Sequence, residues 1–238
     1  MQLFFHPTVS PEDREVRFSR DESRHIVKVL RKKEGDQLQL TNGKGWIFTT
    51  KIISAGANVC TAKIISSQEE PAASYHLHMA VAPTKMNARY EWFLEKATEI
   101  GIHEITPIIC DQSERKVVKP ERFERVLQSA LKQSLHTRFP VLNEPVSFSE
   151  FLEKEIKGQK FIAHCEEDQA KNLLYRRIQK GSMVTILIGP EGDFSSEEIQ
   201  KALEKGWEAV SLGNSRLRTE TAAIVACHTA ALLNEEEE

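Results

Sequence analysis

The sequence predicts an α/β fold preceded by a small β-rich domain, and three observations carry that reading. From residue 75 onward, apolar runs of strand length alternate with segments of helical period. Before residue 66 the apolar runs are short, rich in Ile, Val, Thr and aromatics, and punctuated by Asn42-Gly43, a hairpin signal. Between them lies Ser66-Ser67-Gln68-Glu69-Glu70-Pro71-Ala72-Ala73-Ser74, a polar, proline-containing stretch that sets the expected domains at 1–70 and 75–238.

A helical period spans 20–32. Gln37–Thr41 alternates apolar and polar residues, as a half-buried strand does, and Trp46–Ile53 and Val59–Ile65 have strand composition. In the second domain the expected order is strand Leu77–Val81, helix 88–100, strand Ile105–Cys110, helix 120–136, strand Phe161–His164 and helix 168–179. Strand Val184–Ile188, helix 195–205, strand Ala209–Leu212 and helix 219–233 complete it. Ser195 and Glu198 have the spacing of a capping box, and Thr219 reads as an N-cap. Such a rhythm implies a mainly parallel sheet.

A chain of 238 residues with 40% hydrophobic and 28% charged residues can bury a substantial core. No uncharged apolar run approaches the ~18 residues of a membrane span. The first residues lack a basic start and apolar stretch, so the cytoplasm is the expected location. Cys60, Cys110, Cys165 and Cys227 are far apart, and the eight histidines form no ligand cluster beyond His76-Leu77-His78, so no metal is expected.

The net charge of −3 hides an asymmetry. Residues 1–70 hold 11 basic and 9 acidic side chains; the remainder hold 21 and 26. Residues 14–33 alone carry eight basic against three acidic ones. On a helical wheel of 20–32, Ile26, Val29 and Leu30 share one face while Arg20, Arg24, Lys28, Arg31 and Lys32 crowd the opposite third. That is either a solvated face or a phosphate-tracking surface, since like charges so close call for a polyanion. A membrane-surface helix fits less well, because the apolar face is narrow and carries no aromatic residue.

Two later segments could carry chemistry. Val184–Ile188 runs into Gly189-Pro190-Glu191-Gly192-Asp193-Phe194 and then a helix, and ligands of open α/β sheets sit at the carboxyl ends of strands. The loop matches no phosphate-binding pattern, and Glu191 and Asp193 would repel a polyphosphate. A tight structural turn, or a site for a ligand with hydroxyls or positive charge, remains. Leu212-Gly213-Asn214-Ser215-Arg216-Leu217-Arg218-Thr219-Glu220-Thr221-Ala222 also links a strand to a helix, with two arginines where positive charge is unfavourable unless an anion is present.

Taken together, these motifs resemble the ribosomal RNA small subunit methyltransferase E family of the SPOUT superfamily. The resemblance spans nearly the whole chain: Ser23-Arg24-His25-Ile26-Val27-Lys28-Val29-Leu30-Arg31, Lys96-Ala97-Thr98-Glu99-Ile100-Gly101, Ser113-Glu114-Arg115, Gln133-Ser134 and Phe139-Pro140. The most specific parts are Gly189-Pro190-Glu191-Gly192 and Leu217-Arg218-Thr219-Glu220-Thr221-Ala222. Two positions depart from it: Asp193, where a second Gly is commoner, and Lys132, where an acid is commoner.

The resemblance implies a PUA-like β-barrel for RNA binding, a SPOUT-type α/β domain with a deep trefoil knot, and a homodimer. It implies S-adenosylmethionine-dependent methylation of N3 of one uridine in 16S ribosomal RNA, free or in the small subunit. Carried over by motif, the cofactor pocket is lined by Ile188, Gly189, Pro190, Glu191 and Gly192, and by Leu212, Gly213, Leu217 and Arg218. Cys165 and Glu166 form a third wall. Because N3 must lose a proton, Arg218 is the expected electrostatic stabiliser and Glu220 the proton acceptor or orienter of the arginine. A related enzyme acting on another base or a ribose hydroxyl, or a non-catalytic RNA-binding or ribosome-assembly protein, are the alternatives. For the dimer there is also a residue-level reason. Tyr90, Phe93, Leu94, Ala97 and Ile100 complete the core face of helix 88–100, which leaves Trp92 on the far side at about 200° from Tyr90. The helix at 222–233, apolar nearly all round, offers a second such surface.

Overall fold

The computed structural model describes residues 2–166 and 171–235 and divides into two units, one of residues 1–72 with Leu131–Phe139 and one of Ala73–Ala130 with Pro140–Glu238. In the first unit, β1 (Leu3–Phe5), β2 (Glu15–Arg17), β3 (Gln37–Thr41), β4 (Trp46–Ala55) and β5 (Cys60–Glu69) form one sheet in the order β1-β3-β4-β5-β2. Only the β1–β3 pair is parallel. Phe4, Phe18, Ile26, Leu40, Phe48 and Ile52 make its core. The return of Leu131–Phe139 to this unit is invisible to a linear reading. It is secured by Thr41 Oγ1 donating to Thr137 O (3.0 Å), by Thr137 Oγ1 donating to Glu70 (2.6 Å), and by the stacked rings of Phe5 and Phe139. Lys132 pairs with Glu22 at 3.0 Å, which gives that unusual lysine a structural partner.

The expected helix 20–32 is corrected. A five-residue helix α1 (Arg20–Arg24), capped by Ser19 Oγ accepting from Glu22 N, widens into a π turn over His25–Val29. The chain then turns left-handed at Arg31 (φ 55°). The wider turn keeps Ile26 in the core but rotates Val29 outward, to 64% exposure, so the three apolar residues no longer share a face. Ser23 pins the turn: its hydroxyl donates to Phe18 O and accepts from Cys60 N at 2.8 Å.

In the second unit the strands run β6 (His76–Val81), β7 (Glu104–Ile109), β8 (Val141–Leu142), β9 (Val146–Ser147), β10 (Gln159–Ala163), β11 (Asn172–Leu173), β12 (Met183–Ile188) and β13 (Glu208–Ser211). Their order is β11-β13-β10-β12-β6-β7-β8, with β9 also on β7, and every pair is parallel. The helices are α2 (Asn87–Ile100), α3 (Pro120–Ser134), α4 (Phe148–Leu152), α5 (Ser196–Glu204) and α6 (Thr219–Asn234). α2 ends on Gly101, whose φ of 96° suits a glycine C-cap. Ala80, Ile162 and Leu187 share a core with Phe148, Phe151, Phe194 and Trp207, while the intervening Met79, Val81 and Ile186 are also buried, so both sheet faces are covered.

Over residues 171–179 the expected helix does not form. Residues 168–170 lie outside the described part; from Asn172 the chain instead pairs with Val210 and Ser211 as the edge strand β11, then makes a single 3₁₀ turn at Leu174–Arg176. The open edge of β13 supplies backbone hydrogen bonds, and burial of Leu174 and Ile178 anchors the turn; periodicity saw only the apolar spacing. The short elements α4, β8 and β9 were also beyond the reach of the pattern.

Candidate active site

The loops that follow β10, β12 and β13 converge at the carboxyl ends of these neighbouring strands, where an open parallel sheet leaves a crevice. Two adjoining cavities of about 530 and 460 Å³ share Ala163, Cys165, Arg216, Leu217 and Ala222 as walls and so form one cleft. Their size is that of a pocket for a nucleoside-sized molecule.

The loop after β12 is built from its neighbours. Asp193 N donates to Pro190 O (2.9 Å), closing a turn, and Ser195 caps α5 in a reciprocal box with Glu198. The buried Glu198 also accepts from Asp111 N at 3.0 Å; burial raises its carboxyl above the usual range. Glu191 is exposed and accepts from Lys85 N (2.9 Å), and Arg115 holds the same segment by donating to the carbonyls of Thr84 and Lys85. Asp193 explains its own unusual presence. It adopts φ 69°, a left-handed conformation that Asp tolerates better than most residues. Its carboxylate accepts from Cys165 N at 2.7 Å and from Phe194 N at 2.8 Å, tying the loop after β12 to the loop after β10. Lys171 steadies the latter loop by donating to the carbonyls of His164 (2.8 Å) and Glu166. Burial, then Asp193, pushes the Cys165 thiol up; burial, then Lys171, pushes His164 down.

After β13, Leu212 and Gly213 line one half of the cleft, Gly213 at a φ of 131° that disfavours a side chain. The N-cap position of α6 is Arg218, without a side-chain cap, and Thr219 is the first helical residue; the expected Thr219 cap is therefore corrected. Thr219 and Glu220, at the start of α6, line the other half.

Of the residues expected at a cofactor pocket, Ile188, Gly189, Pro190, Glu191, Leu212, Gly213, Leu217 and Arg218 all line the cleft, as does Glu220. Gly192 does not. A Cβ there would meet the end of the Gln112 side chain at 2.3 Å, away from the cleft wall, whereas a Cβ on Gly189 would sit 3.1 Å from Phe194. Arg20, Arg24, Lys28 and Arg31 are solvent-exposed on the first unit and Lys32 half-buried, and none pairs with a carboxylate among the described residues. Sequence patterns missed Arg89. It lines the cleft from the first turn of α2 and pairs with Glu220, which is only 4% exposed. No local signal marks it, because its partner lies 131 residues away. Among the described residues, no group of three or more His, Cys, Asp or Glu side chains is placed to hold a metal, and no helix is long and apolar enough to cross a membrane.

Comparison with known proteins gives this cleft a context. Residues 70–231 match the model of an RNA methyltransferase domain, and residues 18–65 that of an RNA methyltransferase PUA domain. The ribosomal RNA small subunit methyltransferase E of Rickettsia conorii is 30% identical over 93% of this chain and 91% of its own. The crystal structure of a probable rRNA-methyltransferase from Porphyromonas gingivalis superposes with a TM-score of 0.89 at 39% identity, covering 98% of this chain and 99% of that one. The structure of the ribosomal RNA small subunit methyltransferase E of Neisseria gonorrhoeae, bound to S-adenosyl methionine, gives 0.88 at 25% identity, over 98% of both chains. A PUA-type domain ahead of a parallel α/β domain, matched nearly end to end, places the chain in the ribosomal RNA small subunit methyltransferase E family.

Proposed function

We propose that the protein transfers a methyl group from S-adenosylmethionine to N3 of a uridine in small-subunit ribosomal RNA. The observation that carries this reading is the single cleft made by the loops after β12 and β13, which the motifs had marked separately. It agrees with the cofactor-bound relative of the same fold.

The cleft suits this cofactor. It offers apolar walls from Ile188, Pro190 and Leu217, backbone approach at Gly189 and Gly213, and the carboxylates of Glu191 and Asp193 toward ribose hydroxyls or positive charge. When bound, the cofactor supplies an electrophilic methyl on a sulfonium. Residues 188–191, 212–213 and 217–218 would hold it, with Asp193 locking the loop. Arg218, at the N-cap of α6, adds positive charge to the cleft wall, and Glu220 orients an arginine, Arg89. The uncompensated basic side chains Arg20, Arg24, Lys28, Arg31 and Lys32 on the first unit fit RNA phosphates. That unit serves as the RNA-binding domain and the second unit as the methyltransferase domain. The knotted path expected of the family would run through the loops that wall the cleft.

A homodimer is supported by what α2 and α6 leave uncovered. They pack together, yet Trp92 is 47% and Leu232 60% exposed, and large exposed aromatics often anchor interfaces. The test of function is transfer of a tritiated methyl group to small-subunit RNA lacking the modification, followed by nucleoside identification. N3-methyluridine is the expected product. A ribose-methylated nucleoside or another methylated base would replace this assignment, and failure to bind the cofactor in calorimetry would leave an RNA-binding protein.

A further inference from the structure

We propose that Arg89 is the cation that meets the negative charge of the target base, and that Glu220 acts by holding Arg89 in place rather than by accepting the proton. The inference rests on the methyltransferase reading above and deepens it.

The cleft contains three arginines, Arg89, Arg216 and Arg218. Arg216 and Arg218 are exposed and make no ion pair among the described residues, so each would have to be ordered when RNA arrives. Arg89 is different. Its Nη1 donates to Glu220 Oε1, and Glu220 is buried at the start of α6, fixed by the helix backbone. Arg89 itself is on the first turn of α2, and its side chain remains 39% exposed toward the cleft. One edge of the guanidinium is thus anchored, and its other N–H groups have no partner among the described residues.

Chemistry favours such a group. Uridine N3 gives its proton to water, and the electron pair left on it forms the N–C bond as the methyl's bond to sulfur breaks and that pair stays on sulfur. While N3 is anionic its charge spreads over the flanking carbonyl oxygens. A planar guanidinium presents two parallel donors to such an edge, and a cation held beforehand needs no reorganisation at the moment of reaction. Glu220 suits the holding role because one carboxylate oxygen is already engaged. A proton arriving there would release the arginine when it is needed.

The test uses the full-length protein, S-adenosylmethionine and unmodified small-subunit RNA, with single-turnover rates measured across pH. S-adenosylhomocysteine affinity and melting temperature are measured alongside. Arg89→Met should slow methyl transfer at neutral pH by on the order of 100-fold, the usual cost of one preorganised donor, with cofactor affinity unchanged. Its deficit should shrink as pH rises, because hydroxide then forms the anion that Arg89 no longer stabilises. Arg89→Lys should recover part of the rate, and Glu220→Gln should lose less than Arg89→Met. A folded Arg89→Met with wild-type rate overturns the proposal. So does a deficit equal at every pH, which marks Arg89 as only a strut between α2 and α6, or a greater loss in Glu220→Gln than in Arg89→Met. A wild type that binds cofactor but methylates no RNA removes the functional reading itself.

Discussion

Replacing Asp193 separates the two things this residue does. Its carboxylate makes two hydrogen bonds, to Cys165 N and Phe194 N, and its backbone occupies a left-handed conformation. Hydrogen bonds to a charged group contribute about 1.5–3 kcal/mol each, and the half-buried position argues for the low end, so losing both costs roughly 3 kcal/mol. Asp193→Gly regains about 1 kcal/mol of backbone strain but gives much of it back through the entropy of the unfolded chain. The net expectation is a loss of about 2–3 kcal/mol, or roughly 5–10 °C in the melting of the second unit. Asp193→Asn retains one acceptor oxygen and the left-handed tolerance, so it should lose about half as much. Calorimetric melting gives the magnitude, and hydrogen exchange at the Cys165 amide reports the bond between the two loops directly. S-adenosylhomocysteine should bind more weakly to Asp193→Gly than to wild type, because the loop after β12 is no longer tied to the loop after β10. If Asp193→Gly melts at or above the wild-type temperature and the Cys165 amide exchanges no faster, the tie contributes nothing and Asp193 has no role in joining the loops.

Four further outcomes are expected. Gly189→Ala should weaken cofactor binding by crowding Phe194 and the backbone at Asp193–Phe194, while Gly192→Ala, which crowds only the side chain of Gln112, a residue that does not line the cleft, should bind more nearly normally; equal effects would contradict the geometry. Neutralising Arg24, Lys28 and Arg31 together should reduce RNA affinity and flatten its dependence on log salt by about 0.7–0.9 for each phosphate no longer neutralised, so a wild-type slope would show a merely solvated surface. Burial, against the opposing pull of Glu104, pushes His78 down to about 4, so folding favours its neutral form. Stability is then fully present above the unfolded value near 6.5 and is lost as pH falls toward 4, by at most about 3 kcal/mol. His78→Gln should have a shallower acid decline, measured by denaturant unfolding, and an unchanged decline would refute that origin. Light scattering should show a dimer that Trp92→Glu weakens; a monomeric wild type, or a fully dimeric variant, would remove Trp92 as the anchor.

Local chemistry was sufficient for much of this protein. Apolar runs of strand length placed β6, β7, β10, β12 and β13 at the centre of the parallel sheet, and the Ser195–Glu198 capping box started α5 where the structure starts it. The Gly189–Asp193 and Leu212–Arg218 segments declared themselves as loops between strand and helix, the positions at which a parallel sheet exposes its carboxyl ends. All of these are determined by neighbours within a few residues. Other features depend on partners far away in sequence, and only the tertiary structure decided them. Helix 20–32 gave way to a π turn because Ser23 is claimed by Phe18 and Cys60. The segment after residue 171 became an edge strand because β13 had a free side. Leu131–Phe139 joined the first unit through Thr41, Glu70 and Phe5. Arg89 entered the cleft through a carboxylate 131 residues distant, and Asp193 acquired its role from an amide 28 residues before it. Periodicity encodes which face of an element is buried, but the identity of the group across the gap is set by chain topology, which no local window contains.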